Sequence, residues 1–398
     1  MGSSSVILKS NDSGETWNVI DLETQVHVKD FQFIDDTIIY VIGDSYIGAG
    51  ENLTSKLIKS SDNGDTWDSI TSFTGKQLLS LWFFNNDSGM VAGSHGIYRT
   101  VDAGDDWDTV WSFVQFGYRF GSLEQLYFPT DQIGYAIGTA ITQNNDDLTD
   151  YLLLKTYNSG ITWDTIKTFR YSPTAIHFLN QDTGFIGTGT GSSIILKTMN
   201  GGYTWNETQI TEYYNTVFSI QFISNMKGFA AGAPSAFIPE APTSFFVSKT
   251  NDGGITWESY DTIGIPLNSI YFLNDTAGFV SGSYSLIMKS NGIISGLPPD
   301  YPWYLVGGDF IEDKDLFNSR IRVFPNPTFG PLILELNDAS ASVETVRVLN
   351  SSGQILVNMK PVSGCGLIQL DLSDFVEGIY LVQVFFSVKT EFQKVIKK

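Results

Sequence analysis

SNDSGETW at Ser10–Trp17, SSDNGDTW at Ser60–Trp67, TVDAGDDW at Thr100–Trp107, TYNSGITW at Thr156–Trp163, TMNGGYTW at Thr198–Trp205 and TNDGGITW at Thr250–Trp257 are six copies of one phrase. They recur every 40 to 56 residues, the period of an array of small structural units. Each copy has the chemistry of a tight turn. Asp12, Asp62, Asp102, Asn158, Asn200 and Asp252 carry short side chains that bond backbone amides further on, as Asx turns do. The Ser or Thr two residues earlier joins that network, the glycine supplies a positive φ, and the tryptophan buries a large ring whose N–H needs a partner. Asp106 stands where the other copies have Thr, so the third hairpin is expected to be looser. Carboxylates repeated in this way suggest catalysis or calcium, but a group needed six times over reads as a fold device.

The repeat extends beyond the box. Seven apolar runs end in Lys or Arg, from Val6–Lys9 to Ser285–Lys289, six of them immediately before a box. Further upstream lie an aromatic run, a polar turn, then Gly-aromatic and a second Gly, as in Leu81–Gly93, Leu126–Gly138, Ile176–Gly187, Ile220–Gly232 and Ile270–Gly282. Each unit therefore offers four short strands bounded by turns, the composition of a propeller blade. The expected fold class is all-β, a propeller of seven four-stranded blades followed by a small β-sandwich. The ends are irregular and leave six or eight blades open. The first unit lacks its two inner strands, and the last box stops at Ser290-Asn291-Gly292 without Thr-Trp. Trp303–Gly307 is expected to return and complete the first blade.

The phrase resembles the Asp-box, or bacterial neuraminidase repeat. Its spacing with Gly-Phe-x-x-Gly is similar to the propeller family of photosystem II stability and assembly factors. The resemblance covers residues 6–296 and implies a β-propeller, commonly seven-bladed; it does not imply photosynthesis.

From Arg320 the grammar changes. Val323-Phe324-Pro325-Asn326-Pro327, Val346–Gln354, Leu370–Ser373, Gly378–Val382 and Lys394–Lys398 describe alternating strands separated by turns, a sandwich of about 80 residues. Their order and spacing resemble the type A C-terminal sorting domain of the type IX secretion system of Bacteroidetes. That resemblance implies that residues 321–398 engage the secretion machinery, that a sortase removes them, and that the protein is released or anchored at the outer-membrane surface. The expected domains are 1–296, a linker and strand closure at 297–319, and 320–398.

Composition sets limits. Residues 1–300 hold 14 Lys and Arg against 32 Asp and Glu, a balance of −18 within a total of −20. Such a surface repels phosphate backbones and anionic lipid, so nucleic acid is not an expected partner. The lone Cys365 allows no disulfide within the chain and no thiolate cluster. No apolar run has the length of a membrane helix, and the start shows no signal peptide. No metal or cofactor is expected, and the protein is read as a monomer.

Turn parity locates the working face. In a four-stranded up-and-down blade the boxes are turns between strands three and four, so the variable loops and blade links share the opposite face. That face carries the long loops 44–55, 139–150 and 233–244. The candidate ligand-binding residues are His95, Trp111, Tyr118, Arg119, Arg170, Tyr171, Tyr213, Tyr214, Asp146, Asp150 and Glu240, rings beside carboxylates that suit a sugar or peptide. Two functions compete. One is a non-catalytic protein- or glycan-binding propeller, with no catalytic residues. The other is a glycoside hydrolase using a carboxylate pair on that face. Sialidase chemistry is disfavoured, because the propeller offers only Arg99, Arg119 and Arg170 and has Phe237-Ile238-Pro239 where that family has Arg-Ile-Pro.

Overall fold

The computed structural model describes residues 6–14, 16–22, 26–45, 53–142, 148–189, 193–211, 215–234, 246–261, 267–274, 277–282, 286–290, 303–305, 321–324, 328–336, 343–350, 354–361, 367–386 and 390–397. Among them the helical content is one 3-10 turn, Val114–Phe116. Five four-stranded sheets follow one another, spanning 26–74, 78–112, 118–169, 173–209 and 215–261, each with its strands in chain order. Strands Leu267–Phe272, Gly278–Gly282, Leu286–Ser290 and Trp303–Leu305 make a sixth of the same order. Val6–Lys9 and Asn18–Asp21 form a two-stranded sheet at the start. Up-and-down four-stranded sheets in series are propeller blades, so the fold is the expected all-β propeller.

One expectation fails. Trp303–Leu305 does not complete the first blade; it pairs with the last apolar-Lys strand, Met288 opposite Leu305 and Ser290 opposite Trp303. The seventh box position, Ser290-Asn291-Gly292, lacks Thr-Trp, and among the described residues the strand on the edge of Leu286–Ser290 is Trp303–Leu305.

The chain falls into two compact units, one of residues 1–9, 19–272 and 280–284, the other of 10–18, 273–279 and 285–398. The division runs through the last repeat. In the first unit, packing between neighbouring blades follows one rule. The aromatic at the second position of strand two, which follows a glycine in three of the four cases, stacks on the phenylalanine closing strand one of the next blade. Tyr40 meets Phe83, Tyr135 meets Phe178, Phe185 meets Phe222 and Phe229 meets Phe272, with centroids 3.6 to 3.9 Å apart. The box tryptophan meets that phenylalanine edge-on, as Trp107 does Phe83 and Trp163 does Phe128. Each pair adds roughly 1 kcal/mol beyond the buried area.

The repeated lysine ties blades together. Lys155 Nζ donates to the Gly201 carbonyl at 2.8 Å, Lys197 to that of Gly253 at 2.7 Å, and Lys9 pairs with Asp65 at 2.6 Å. All three reach the box of the following blade. A second regularity was not visible in the sequence: strand one of five blades carries a register shift at the same point, between Val28 and Asp30, Leu78 and Ser80, Leu123 and Gln125, Pro173 and Ala175, and Val217 and Ser219. A single extra residue there bends the strand and re-aims the side chains after it.

In the second unit, Trp17 of the first box meets Phe279 edge-on at 6.1 Å. The tail forms two sheets, one of Ile321–Phe324, Pro331–Leu336 and Leu367–Asp371, the other of Ile355–Met359, Val343–Asn350, Gly378–Phe386 and Thr390–Lys397. Leu332, Leu334, Ile368 and Leu370 from the first and Val346, Val348, Val382 and Val384 from the second share one core, the expected sandwich arrangement.

Candidate functional site

The boxes are saturated with internal bonds. Ser60 Oγ donates to Asp62 at 2.8 Å and accepts the Gly64 N–H at 2.8 Å, while Asp62 accepts the Thr66 N–H at 2.8 Å and its hydroxyl at 2.6 Å. The Thr66 hydroxyl above all, and then its N–H, hold the Asp62 carboxyl down at about 2. Asn158 and Asn200 likewise accept the Thr162 and Thr204 N–H at 2.9 Å, but their Nδ2 donates to the hydroxyls, the reverse of the Asp62–Thr66 bond. In the third copy, Asp102 keeps the Asp106 N–H at 3.1 Å but has no hydroxyl there to accept from. In five boxes the tryptophan N–H donates to the box glycine carbonyl, at 2.8 to 3.2 Å. No group of three or more metal-ligating side chains occurs among the described residues.

The first strand of each blade lines the propeller axis and presents an unpaired backbone edge. Side chains of the preceding blade satisfy that edge. Gln32 donates to the Phe83 carbonyl at 2.9 Å and accepts its N–H at 2.6 Å; Gln221 does the same to Phe272 at 3.0 and 2.5 Å. Tyr127 donates to the Phe178 carbonyl at 2.9 Å, and His177 bonds the backbone of Phe222. Two residues earlier, Asp30 accepts the Leu81 N–H at 2.9 Å, Ser80 that of Leu126 at 3.0 Å, Gln125 that of Ile176 at 2.9 Å and Ser219 that of Ile270 at 3.2 Å. Burial pushes Asp30 up to about 6 against these bonds, and burial pulls His177 down to about 4 against its bond to Phe222. Across the five strands 26–33, 78–83, 118–127, 173–178 and 215–222 the carboxylates are Asp30, which is committed, and Glu124.

On the face opposite the boxes, the structure brings some expected residues together. The Tyr118 hydroxyl bonds the Asp150 carboxylate across the sheet, and burial first, then that charge, raises the phenol above its usual range. Arg119 lies 5.5 Å from the Phe120 ring and Arg170 5.5 Å from Tyr171. His95 is exposed, its Nδ1 2.8 Å from Ser94 Oγ. Ser94 Oγ accepts the Gln77 N–H, and Gln77 Nε2 donates to Asp44 at 3.0 Å. Asp44 is buried, with Ser55 at 2.5 Å and Lys29 at 3.5 Å, so a polar chain links two blades beneath His95.

Trp111 is a correction. It is fully buried, because the register shift between Thr109 and Trp111 turns it inward, and it packs on Phe113 at 4.9 Å. Phe116 stacks on its plane at 5.3 Å, so the exposed rings of this link are Phe116 and Phe120. Neither was in the expected ligand set, although both lie in the same blade link as Trp111, Tyr118 and Arg119. Tyr213, Tyr214, Asp146 and Glu240 lie outside the described residues.

Residues 322–398 match the family model described as the secretion system C-terminal sorting domain. The tail is thus a type IX sorting domain, and the protein is exported to the outer-membrane surface or beyond it. No curated protein matches the chain. Among solved structures, the chain is similar to YCF48 from Cyanidioschyzon merolae, at 17% identity and TM-score 0.53 over 72% of this chain and 89% of the other. A structure of YCF48 bound to D1 peptide matches at 13% and 0.52, over 84% and 95%. The GH74 xyloglucanase from Xanthomonas campestris matches at 12% and 0.57 over 96% of this chain, which spans 55% of that enzyme. At these identities the likeness shows the propeller fold alone.

Proposed function

We propose that the exported protein is a non-catalytic recognition module whose residues 1–296 bind a protein or glycan through the face opposite the boxes. Residues 297–319 link it to the sorting tail, 320–398, and it acts as a monomer. The commitment of the axis-lining polar side chains to backbone bonds carries this reading, since a retaining or inverting hydrolase needs two free carboxylates about 5 to 9 Å apart. The same face offers Phe116 and Phe120 as rings, with Arg119 and Arg170 as cations on an acidic molecule. The D1 peptide in the YCF48 structure makes peptide the first partner to try. Peptide and glycan arrays test the reading: the double variant Phe116→Ala and Phe120→Ala is expected to weaken a hit about tenfold. Turnover of any polysaccharide by the intact protein, abolished by Glu124→Gln, would overturn it in favour of hydrolysis. Sortase removal of the tail in the host is expected as a mass shift of the surface-extracted protein.

A further inference from the structure

The box face changes character along the chain. At a junction between blades the second residue of one box and the sixth of the next come together, as the Tyr157 and Tyr203 hydroxyls do at 2.6 Å. The repeated lysine keeps this registry, since Lys155 reaches Gly201 at that junction and Lys197 reaches Gly253 at the following one. Met199 and Ile255 hold the two positions there, and Val101 and Ile161 hold them at the junction before. All six side chains have apolar bodies and are 47 to 68% exposed. The turn itself does not require them. The box at Ser60–Trp67 makes its bonds with Ser61 and Asp65 at these positions, and Asp105 is the sixth residue of the box after it. An apolar pair at each of three consecutive junctions makes a patch of the kind that marks an interaction site.

The rim of this patch is mostly of one sign. The turns between strands one and two share its face, and in the four blades concerned they hold Asp87, Asp131 and Asp182, all exposed, against Lys227. Asp164 is close enough for its charge to act on the Tyr157 phenol, which burial first and then the Tyr203 bond push up to about 12. Lys155 and Lys197 are committed to box carbonyls. We propose that the patch from Val101 to Ile255 is a second docking surface, for a basic polypeptide segment that carries aliphatic or aromatic side chains between Lys or Arg. Met199 and the two aliphatic pairs adapt to apolar side chains, and the acidic rim attracts the flanking cations. A second copy of the chain would bring two acidic rims together, and anionic lipid would meet the same repulsion. The chain's own segment 306–320 has Asp309, Glu312, Asp313 and Asp315 against Lys314 and Arg320, the wrong sign for this rim. The surface is separate from recognition on the loop-bearing face.

The probe is a phage-displayed library of short random peptides, selected on the intact protein and followed by titration of the enriched peptides. Enrichment of apolar residues flanked by Lys or Arg is expected. The double variant Met199→Ser and Ile255→Ser should weaken those peptides about tenfold, and Phe120→Ala on the opposite face should leave them unchanged. Met199 and Ile255 are 68% and 66% exposed, so the variant should keep the wild-type melting curve; Val101→Ser with Ile161→Ser is a second variant with the same expected loss. Asp164→Asn with Asp182→Asn should slow association and flatten its salt dependence. No enriched peptide, enrichment of acidic peptides, or equal binding to both serine variants overturns the proposal. A concentration-dependent dimer of the protein alone that the serine variants dissolve, or binding to phosphatidylcholine vesicles that they abolish, also overturns it, since the occupant would then be a second copy or a membrane.

Discussion

His177 bonds the Phe222 backbone as a neutral ring, and burial keeps its pKa near 4. Between about pH 4 and 6.5 the unfolded chain binds a proton at this residue that the folded chain does not. The resulting stability is complete above pH 6.5 and is lost as pH falls towards 4. His177→Gln places at this site the residue that performs the same task at positions 32 and 221. In urea unfolding, the drop in stability from pH 7 to pH 5 is expected to shrink by about 2 kcal/mol. Asp30 runs the other way: raised to about 6, it binds a proton in the folded state that the unfolded chain has released above about 4. That protonated carboxyl favours folding at low pH, an advantage lost as pH rises through 6. Asp30→Asn, which keeps an acceptor for Ser80 and Leu81, should raise the melting temperature at pH 7 and leave it unchanged at pH 4. The buried Thr156 hydroxyl serves both Asn158 and the Gly160 N–H, so Thr156→Val should cost about 1 to 3 kcal/mol by the same assay.

At the scale of the element, the box turn holds two successive left-handed residues. Ser13, Asn63, Ala103, Ser159, Gly201 and Gly253 have φ between 57° and 73°, each followed by the box glycine, also at positive φ. Fold class and turn role were legible because they rest on composition and period; the second left-handed residue was not, because only two copies spend a glycine on it. Ala103 has no side-chain amide or hydroxyl to ease that conformation, so Ala103→Gly is expected to gain up to about 1 kcal/mol in denaturant unfolding. Gly160→Ala should do the reverse and more, since its Cβ would fall 1.6 Å from Met90 Cε. The recurrent bulge left no trace in the pattern either, as one added residue per strand looks like an ordinary loop-length difference. That bulge decides which strand-one side chains reach the next blade.

For the whole molecule, export was legible and the ligand was not. A sorting tail is a contiguous stretch of strands in fixed order, whereas a binding surface gathers residues from several blade links, and the inward turn of Trp111 against the outward turn of Phe116 depends on a local register. Deleting residues 321–398 is expected to abolish delivery to the surface in a type IX host while leaving a folded propeller in the cell, read by fractionation and limited proteolysis. Surface delivery of the truncated protein would refute this.

The residues at the two positions facing successive inner strands are, in order, Asp30 with Gln32, Ser80 with Trp82, Gln125 with Tyr127, Ala175 with His177, and Ser219 with Gln221; Trp82 contributes ring contacts with Tyr127 and Phe128, and the Ala175 methyl offers no hydrogen bond. No pair is used twice. Blades that share a turn, a lysine and an aromatic stack are thus told apart by their seams. During folding, a unit that docks beside the wrong neighbour meets a mismatched set of donors and leaves an edge carbonyl or amide bare, so the seams act as a proofreading code for an array whose parts would otherwise be interchangeable.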